Sequence, residues 1–153
     1  MPGQDLNLGR LVHGYWRAHE WGLNAEGYLA LIHDVLSLGI RTFDHAACYG
    51  GFANEEAFGQ ALALEKGLRE QMTIVSKCGI AFPNAQLPEM KSKHYDNSRA
   101  HIVWSAERSV EKLQCGYLDL LLIHRPSPCA HPEEIAAAFD DLHRRGLVRH
   151  FGV

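Results

Sequence analysis

Apolar positions along this chain recur with two periods that alternate from start to end. Leu11-Val12-His13-Gly14-Tyr15-Trp16 reads as a first strand. Asn24 can cap the helix that follows, where Tyr28, Leu31, Ile32, Val35 and Leu36 recur at helical spacing. Gly39 closes it as the C′ residue, and Ile40 to Asp44 reads as a second strand. Asn54 is the expected cap of a second helix, with Glu55 and Glu56 in its first turn, where the dipole favours acids. Ala57, Phe58, Ala61 and Leu62 form its buried stripe, and it stops near Gly67. Thr73 to Lys77 is a third strand. The segment from Cys78 to Asp96, with Pro83 and Pro88, reads as a long irregular loop, a kind that often serves as a lid or binding loop. Asn97 or Ser98 caps a third helix whose Ile102, Val103, Ala106, Val110 and Leu113 face inward, and Gly116 closes it. Leu118 to Ile123 is a fourth strand. A fourth helix has Pro132 at its start, Glu133 and Glu134 in its first turn, Arg144 and Arg145 in its last and Gly146 beyond. Val148 to Val153 begins a fifth strand.

The order β-α-β-α-β-α-β-α-β, with strands about 30 residues apart or more, suits repeated βαβ units. Near-continuous apolar strands suit a parallel sheet covered on its faces. A doubly wound sheet and a (β/α)₈ TIM barrel both fit that order. Gly14-Tyr15-Trp16 stands where a dinucleotide-binding fold would carry its Gly-rich phosphate turn, which favours the barrel. Four βα units and a fifth strand make roughly the N-terminal half of a barrel of about 250 residues. Residues 1–153 therefore read as a single, apparently truncated domain. Its first and fifth strands are expected to be open edges, with barrel-facing side chains bare and self-association through those edges.

Composition narrows the class. The 153 residues carry a net charge of -3, which argues against nucleic acid or an anionic membrane as partner. Ten His are scattered, and Cys48, Cys78, Cys115 and Cys129 lack zinc-like spacing, so no metal site is expected. The cysteines read as free thiols of a reducing, cytoplasmic compartment. Met1-Pro2-Gly3-Gln4-Asp5-Leu6 has neither the basic patch nor the apolar run of a signal peptide. No apolar run approaches the roughly 20 residues that span a bilayer.

Candidate chemistry lies where the apolar runs end. Asp44 closes the second strand and Tyr49 follows in the loop before Gly50-Gly51; Lys77 ends the third strand; His124 follows the fourth. Singly, each has a plain structural reading: a turn cap, a loop aromatic, a solvated charge, a strand-end histidine. Together they have the parts for reducing a carbonyl. As hydride reaches the carbonyl carbon, the oxygen gathers negative charge and needs a proton and a polarising donor. Tyr49 can be the acid, with Lys77 as the cation that favours its phenolate. Asp44 fixes the ammonium, and His124 donates to or orients the carbonyl.

These elements resemble the aldo-keto reductases, (β/α)₈ oxidoreductases with an Asp, Tyr, Lys, His tetrad. Asp44 through Gly50 resembles their Asp-x-Ala-x-x-Tyr-Gly element. Val75-Ser76-Lys77 and Leu122-Ile123-His124-Arg125-Pro126 resemble the Lys and His elements. Asn54-Glu55-Glu56-Ala57-Phe58-Gly59 and Val148-Arg149-His150-Phe151-Gly152-Val153 also look like family segments. The resemblance implies NADPH as cofactor, a small-molecule carbonyl substrate, and Asp44, Tyr49, Lys77 and His124 as catalytic residues. It implies cofactor contacts at Gly14, Tyr15, Trp16 and Asp44, and a substrate pocket at Trp21, His124 and Arg125. His45 stands where the family usually has a small residue. The family's Gly-Val is usually followed by Ser-Asn, which holds the nicotinamide; here Val153 is the last residue, so weak NADPH binding is expected of this chain alone. The alternative reading is an inactive truncated fragment or a non-catalytic binding subunit.

Overall fold

The computed structural model describes residues 6–85 and 87–153. The N-terminal stretch read above as lacking a leader therefore lies, except for Leu6, outside the described residues. In chain order the elements are β1 (Val12–Gly14), α1 (Ala25–Ser37), β2 (Thr42–Asp44), α2 (Asn54–Leu64), β3 (Thr73–Cys78), β4 (Ile80–Ala81), β5 (His94–Tyr95), α3 (Arg99–Leu113), β6 (Leu118–Ile123), α4 (Pro132–Arg144) and β7 (Val148–Gly152). Short 3₁₀ turns follow β1 and α2.

Five strands form one sheet in the order β1-β2-β3-β6-β7, every pair parallel. Gly14, Asp44, Val75 and Leu120 stand in one row across it. Each neighbouring pair of sheet strands is joined through a helix that returns over the sheet, as parallel pairing requires. The core lies between the two layers: Phe43, Ile74 and Leu121 from the strands meet Ile32, Phe58, Ile102 and Leu142 from the four helices, all fully buried. Gly59 sets the spacing of two helices. A Cβ there would lie 1.9 Å from the Lys112 carbonyl oxygen, so α2 and α3 touch backbone to backbone.

Local signals placed the cap at Asn24 and narrowed the cap of α3 to two residues. The Asn24 side chain accepts from the Gly27 N–H, and Ser98, not Asn97, accepts from the His101 N–H. Gly39 has the left-handed φ of +79° expected of a C′ residue. Elsewhere packing overrode the local reading. The cap of α2 is Ala53, because the Asn54 side chain is buried and donates to the Tyr15 and Trp16 carbonyls at 2.8 and 3.2 Å. α3 closes on Gln114, itself left-handed, before Gly116 is reached. β1 is shorter than its apolar run. As an edge strand it has one partner, and Leu11 and Trp16 stay exposed.

The segment between β3 and α3 is not structureless. β4 and β5 pair antiparallel, with Gly79 in a positive-φ turn beside them. Leu87, Phe82 and Met90 pack on Ala47 and Phe52, a second small core over the loop that carries Tyr49. The bare barrel-facing surface expected above is also narrower than supposed. Val75 and Leu120, on the same face as Lys77, are buried, while Leu11, Val12 and Val153 are the exposed apolar residues at the sheet edges.

Candidate active site

The Asp44, Tyr49, Lys77 and His124 side chains converge at the C-terminal ends of β2, β3 and β6, the end where barrels carry their catalytic groups. Lys77 is the hub. Its Nζ donates to both Asp44 carboxylate oxygens at 2.6 and 2.7 Å, to the His45 carbonyl at 2.8 Å, and lies 3.1 Å from the Tyr49 hydroxyl. Lys77 retains 13% side-chain exposure and Asp44 26%, so the pair is shielded from water without being sealed. The ammonium also lies 4.9 Å from the centre of the Tyr49 ring. The His124 ring meets that phenol edge-on, with centres 5.7 Å apart.

Backbone geometry holds these groups. The Ala47 N–H donates to the Lys77 carbonyl, and the His124 N–H to the Cys78 carbonyl, so both partner loops are registered on the end of β3. Beyond Tyr49 the chain turns back through Gly50, Gly51 and Phe52, all at positive φ. Gly50 is required twice over: the left-handed region favours glycine, and a Cβ would lie 1.9 Å from Asn54 Oδ1. Asn54 thereby ties the Tyr49 loop to the end of β1.

Electrostatics separate the groups further. Burial, followed by the Lys77 and Arg125 cations, lowers the His124 imidazole to about 4, with Asp44 opposing. His124 is therefore a neutral hydrogen-bonding group at neutral pH. Its Nδ1 lies 3.6 Å from the Cys48 thiol, a contact that nothing in the sequence spacing announces.

Other expected site residues fall elsewhere. Tyr15, expected among the cofactor contacts, has its ring fully buried between β1–β2 and α1–α2, its N–H donating to the Asp44 carbonyl and its own carbonyl accepting from Asn54. Trp21 joins Tyr15, Tyr28 and His13 in that aromatic cluster rather than the Lys77 group. Gly14, Trp16 and Arg125 are exposed. His45 sends its ring to the same cluster, stacked on Tyr15 at 4.6 Å and edge-on to Phe58 at 4.5 Å. Only its carbonyl reaches the site.

Sequence reading missed Glu55 as a buried group. Its carboxylate accepts from Ser76 Oγ at 2.6 Å and Ser109 Oγ at 2.9 Å, joining α2, β3 and α3 directly behind Lys77. A serine before the strand-end lysine was the available signal, but it is silent without the third partner.

His45 makes stability depend on pH. Both ring nitrogens are buried and lack partners among the described residues, and burial, then Lys77 and His13, lowers the imidazole to about 3. In the unfolded chain it protonates near the ordinary value of about 6.5. The unfolded state thus holds the extra proton between those values, so stability is complete above about 6.5 and is lost as pH falls toward 3. By pH 5 the loss from this group is on the order of 2 kcal/mol. His45→Phe, which keeps the stacking, should flatten that dependence in urea unfolding at pH 7 and pH 5. An unchanged dependence would contradict the assignment.

Comparison with known proteins identifies the family and the fold. A model described as the aldo/keto reductase family matches residues 10–153. The uncharacterized oxidoreductase YcsN of Bacillus subtilis is 47% identical over 150 residues, which are 98% of this chain and 50% of that protein. The oxidoreductase YdhF of Escherichia coli is 49% identical with the same coverage. Among solved structures, aldo-keto reductase AKR11C1 of Bacillus halodurans, in its holo form, superposes with a TM-score of 0.80 at 28% identity. That match takes in 97% of this chain and 46% of the other. The chain thus spans about half the length of the curated relatives it matches, and its sheet and helices correspond to the N-terminal half of a (β/α)₈ barrel.

Proposed function

The chain belongs to the aldo/keto reductase family, and on that premise we propose that it carries the acid–base apparatus of an NADPH-dependent reduction of an aldehyde or ketone to an alcohol. The observation behind this reading is the Lys77 ammonium, held by Asp44 and in reach of the Tyr49 phenol. The donor set suits a carbonyl oxygen, with the Lys77 ammonium against the Tyr49 phenol and the neutral His124 imidazole edge-on to that phenol, and Gly14, Trp16 and the part-exposed Asp44 are accessible to hold the cofactor. When bound, NADPH supplies the hydride. Tyr49 gives its proton to the oxygen that acquires the carbonyl electron pair, and Lys77 stabilises the phenolate left behind. His124, being neutral, hydrogen-bonds the carbonyl oxygen and orients it. The phenol then regains its proton from water. Exposed Arg125, whose charge acts on His124, would stand with His124 on the substrate side. Free thiols agree with a cytoplasmic protein, and no described helix is long and apolar enough to cross a membrane. Unsupported by a longer chain, the edges of β1 and β7 would pair with a second copy.

A second reading is an inactive fragment or a binding subunit without turnover; the match to about half the length of the curated relatives is compatible with both. The two separate in one assay. Loss of dihydronicotinamide absorbance is followed with NADPH and NADH against a panel of aldehydes and ketones, using the longest protein that contains this chain. The reductase reading expects turnover, and failure with every carbonyl would favour the binding subunit. Lys77→Met keeps length and removes charge. It should lower the rate and move its pH optimum; an unchanged profile at full rate would reduce Lys77 to a structural role.

A further inference from the structure

Nothing in the reductase reading uses the Cys48 thiol, which lies against Nδ1 of His124. Cys48 is half-buried, between Ala47, whose N–H is bonded to the Lys77 carbonyl, and Tyr49, whose N–H is bonded to the Ala46 carbonyl. His124 is bonded through its own N–H to the Cys78 carbonyl. Both loops are therefore pinned to the end of β3, and the 3.6 Å separation of Cys48 Sγ from His124 Nδ1 follows from backbone registration. Among the described residues, the thiol is the hydrogen-bonding group given to Nδ1.

We propose that Cys48 is a positioning residue: its S–H donates to His124 Nδ1 and so holds the imidazole in the tautomer that carries its proton on Nε2. A neutral imidazole has one donor nitrogen and one acceptor. With the proton on Nε2, the ring can donate to a carbonyl oxygen. With the proton on Nδ1, Nε2 would turn a lone pair toward that oxygen and repel it. The choice of tautomer is set by what the other nitrogen meets, and here it meets a thiol. Burial raises Cys48 above the usual thiol range, so it keeps its proton as a donor. His124 stays neutral by the same cause. The role rests on the reductase reading, but the tautomer does not.

The test is long-range proton–nitrogen correlation on protein labelled at histidine, with the His124 signals assigned by their loss in His124→Asn. The expected result is an Nε2–H tautomer in the wild type, mixed tautomers in Cys48→Ala and restoration in Cys48→Ser, whose hydroxyl is also a donor. In turnover, Cys48→Ala should lower kcat about five-fold, the value of one net hydrogen bond, with the KM for NADPH unchanged and Ser recovering part of the loss. An Nδ1–H tautomer in the wild type would overturn the proposal, as would a tautomer indifferent to Cys48→Ala or a Ser variant no better than Ala. If no carbonyl is turned over at all, the reductase reading fails, while the nitrogen shifts still decide this one.

Discussion

Replacing Tyr49 by Phe is expected to lower carbonyl turnover at least ~10²-fold in a whole barrel that contains this chain, the low end for loss of a general acid. The ring stays, so its edge-on contact with His124 and its place over the Lys77 ammonium are kept. The loop is held by the Tyr49 N–H to the Ala46 carbonyl and by Asn54, neither of which needs the hydroxyl. The substitution therefore removes the proton and little else. Pre-steady-state and steady-state reduction by the two proteins would separate chemistry from release. A Phe variant at wild-type rate would mean that another group supplies the proton. Melting curves of the two should differ little, since Lys77 loses the phenol oxygen but keeps both Asp44 carboxylate oxygens and the His45 carbonyl.

The largest effect on stability is expected from Glu55→Ala, at roughly 3–5 kcal/mol. Two buried hydroxyls, Ser76 and Ser109, donate to this carboxylate. Each loses its partner, at about 1–3 kcal/mol apiece, and the space left behind adds a cavity cost. That is a large share of the 5–15 kcal/mol typical of a domain. Burial raises the carboxyl group, against the two serine hydrogen bonds, and Gln keeps the side chain's length and a carbonyl oxygen that can accept, so Glu55→Gln should cost much less than Ala. Denaturant midpoints of wild type, Gln and Ala at one pH provide the comparison; an Ala variant within about 0.5 kcal/mol of wild type would show that the network is dispensable. A loosened α2 should also disturb the site. Asn54, next to Glu55, closes on Gly50, and Ser76 precedes Lys77 in β3.

How much of this was legible beforehand follows the range of each interaction. The alternation of strands and helices, the cap at Asn24, the cap at one of Asn97 and Ser98, and the turn at Gly39 depend on neighbours a few residues away, and the sequence alone determined them; the structure chose Ser98. The convergence of Asp44, Tyr49, Lys77 and His124 was legible for a related reason. In a parallel sheet of repeated βα units, strand ends fall on one rim, so residues that close successive apolar runs must meet there. Which way a side chain turns at that rim depends on the pleat, and one residue of register moves it to the other face. That is why Tyr15, an expected cofactor contact, and His45, beside Asp44, went into the aromatic layer under α1 and α2, while Asp44 stayed with Lys77. Asn54 looked like a cap because its sequence neighbours are those of a cap. Two carbonyls at the end of β1, 38 and 39 residues away, claimed its amide instead. Glu55 became a buried acceptor only once α3 brought Ser109 to it, and Cys48 met His124 only because both loops bond to β3. Local preference is settled by steric and hydrogen-bonding terms within one turn of chain; burial and partner choice are settled by which distant segments the sheet brings within a few ångströms, and only the tertiary structure decided those.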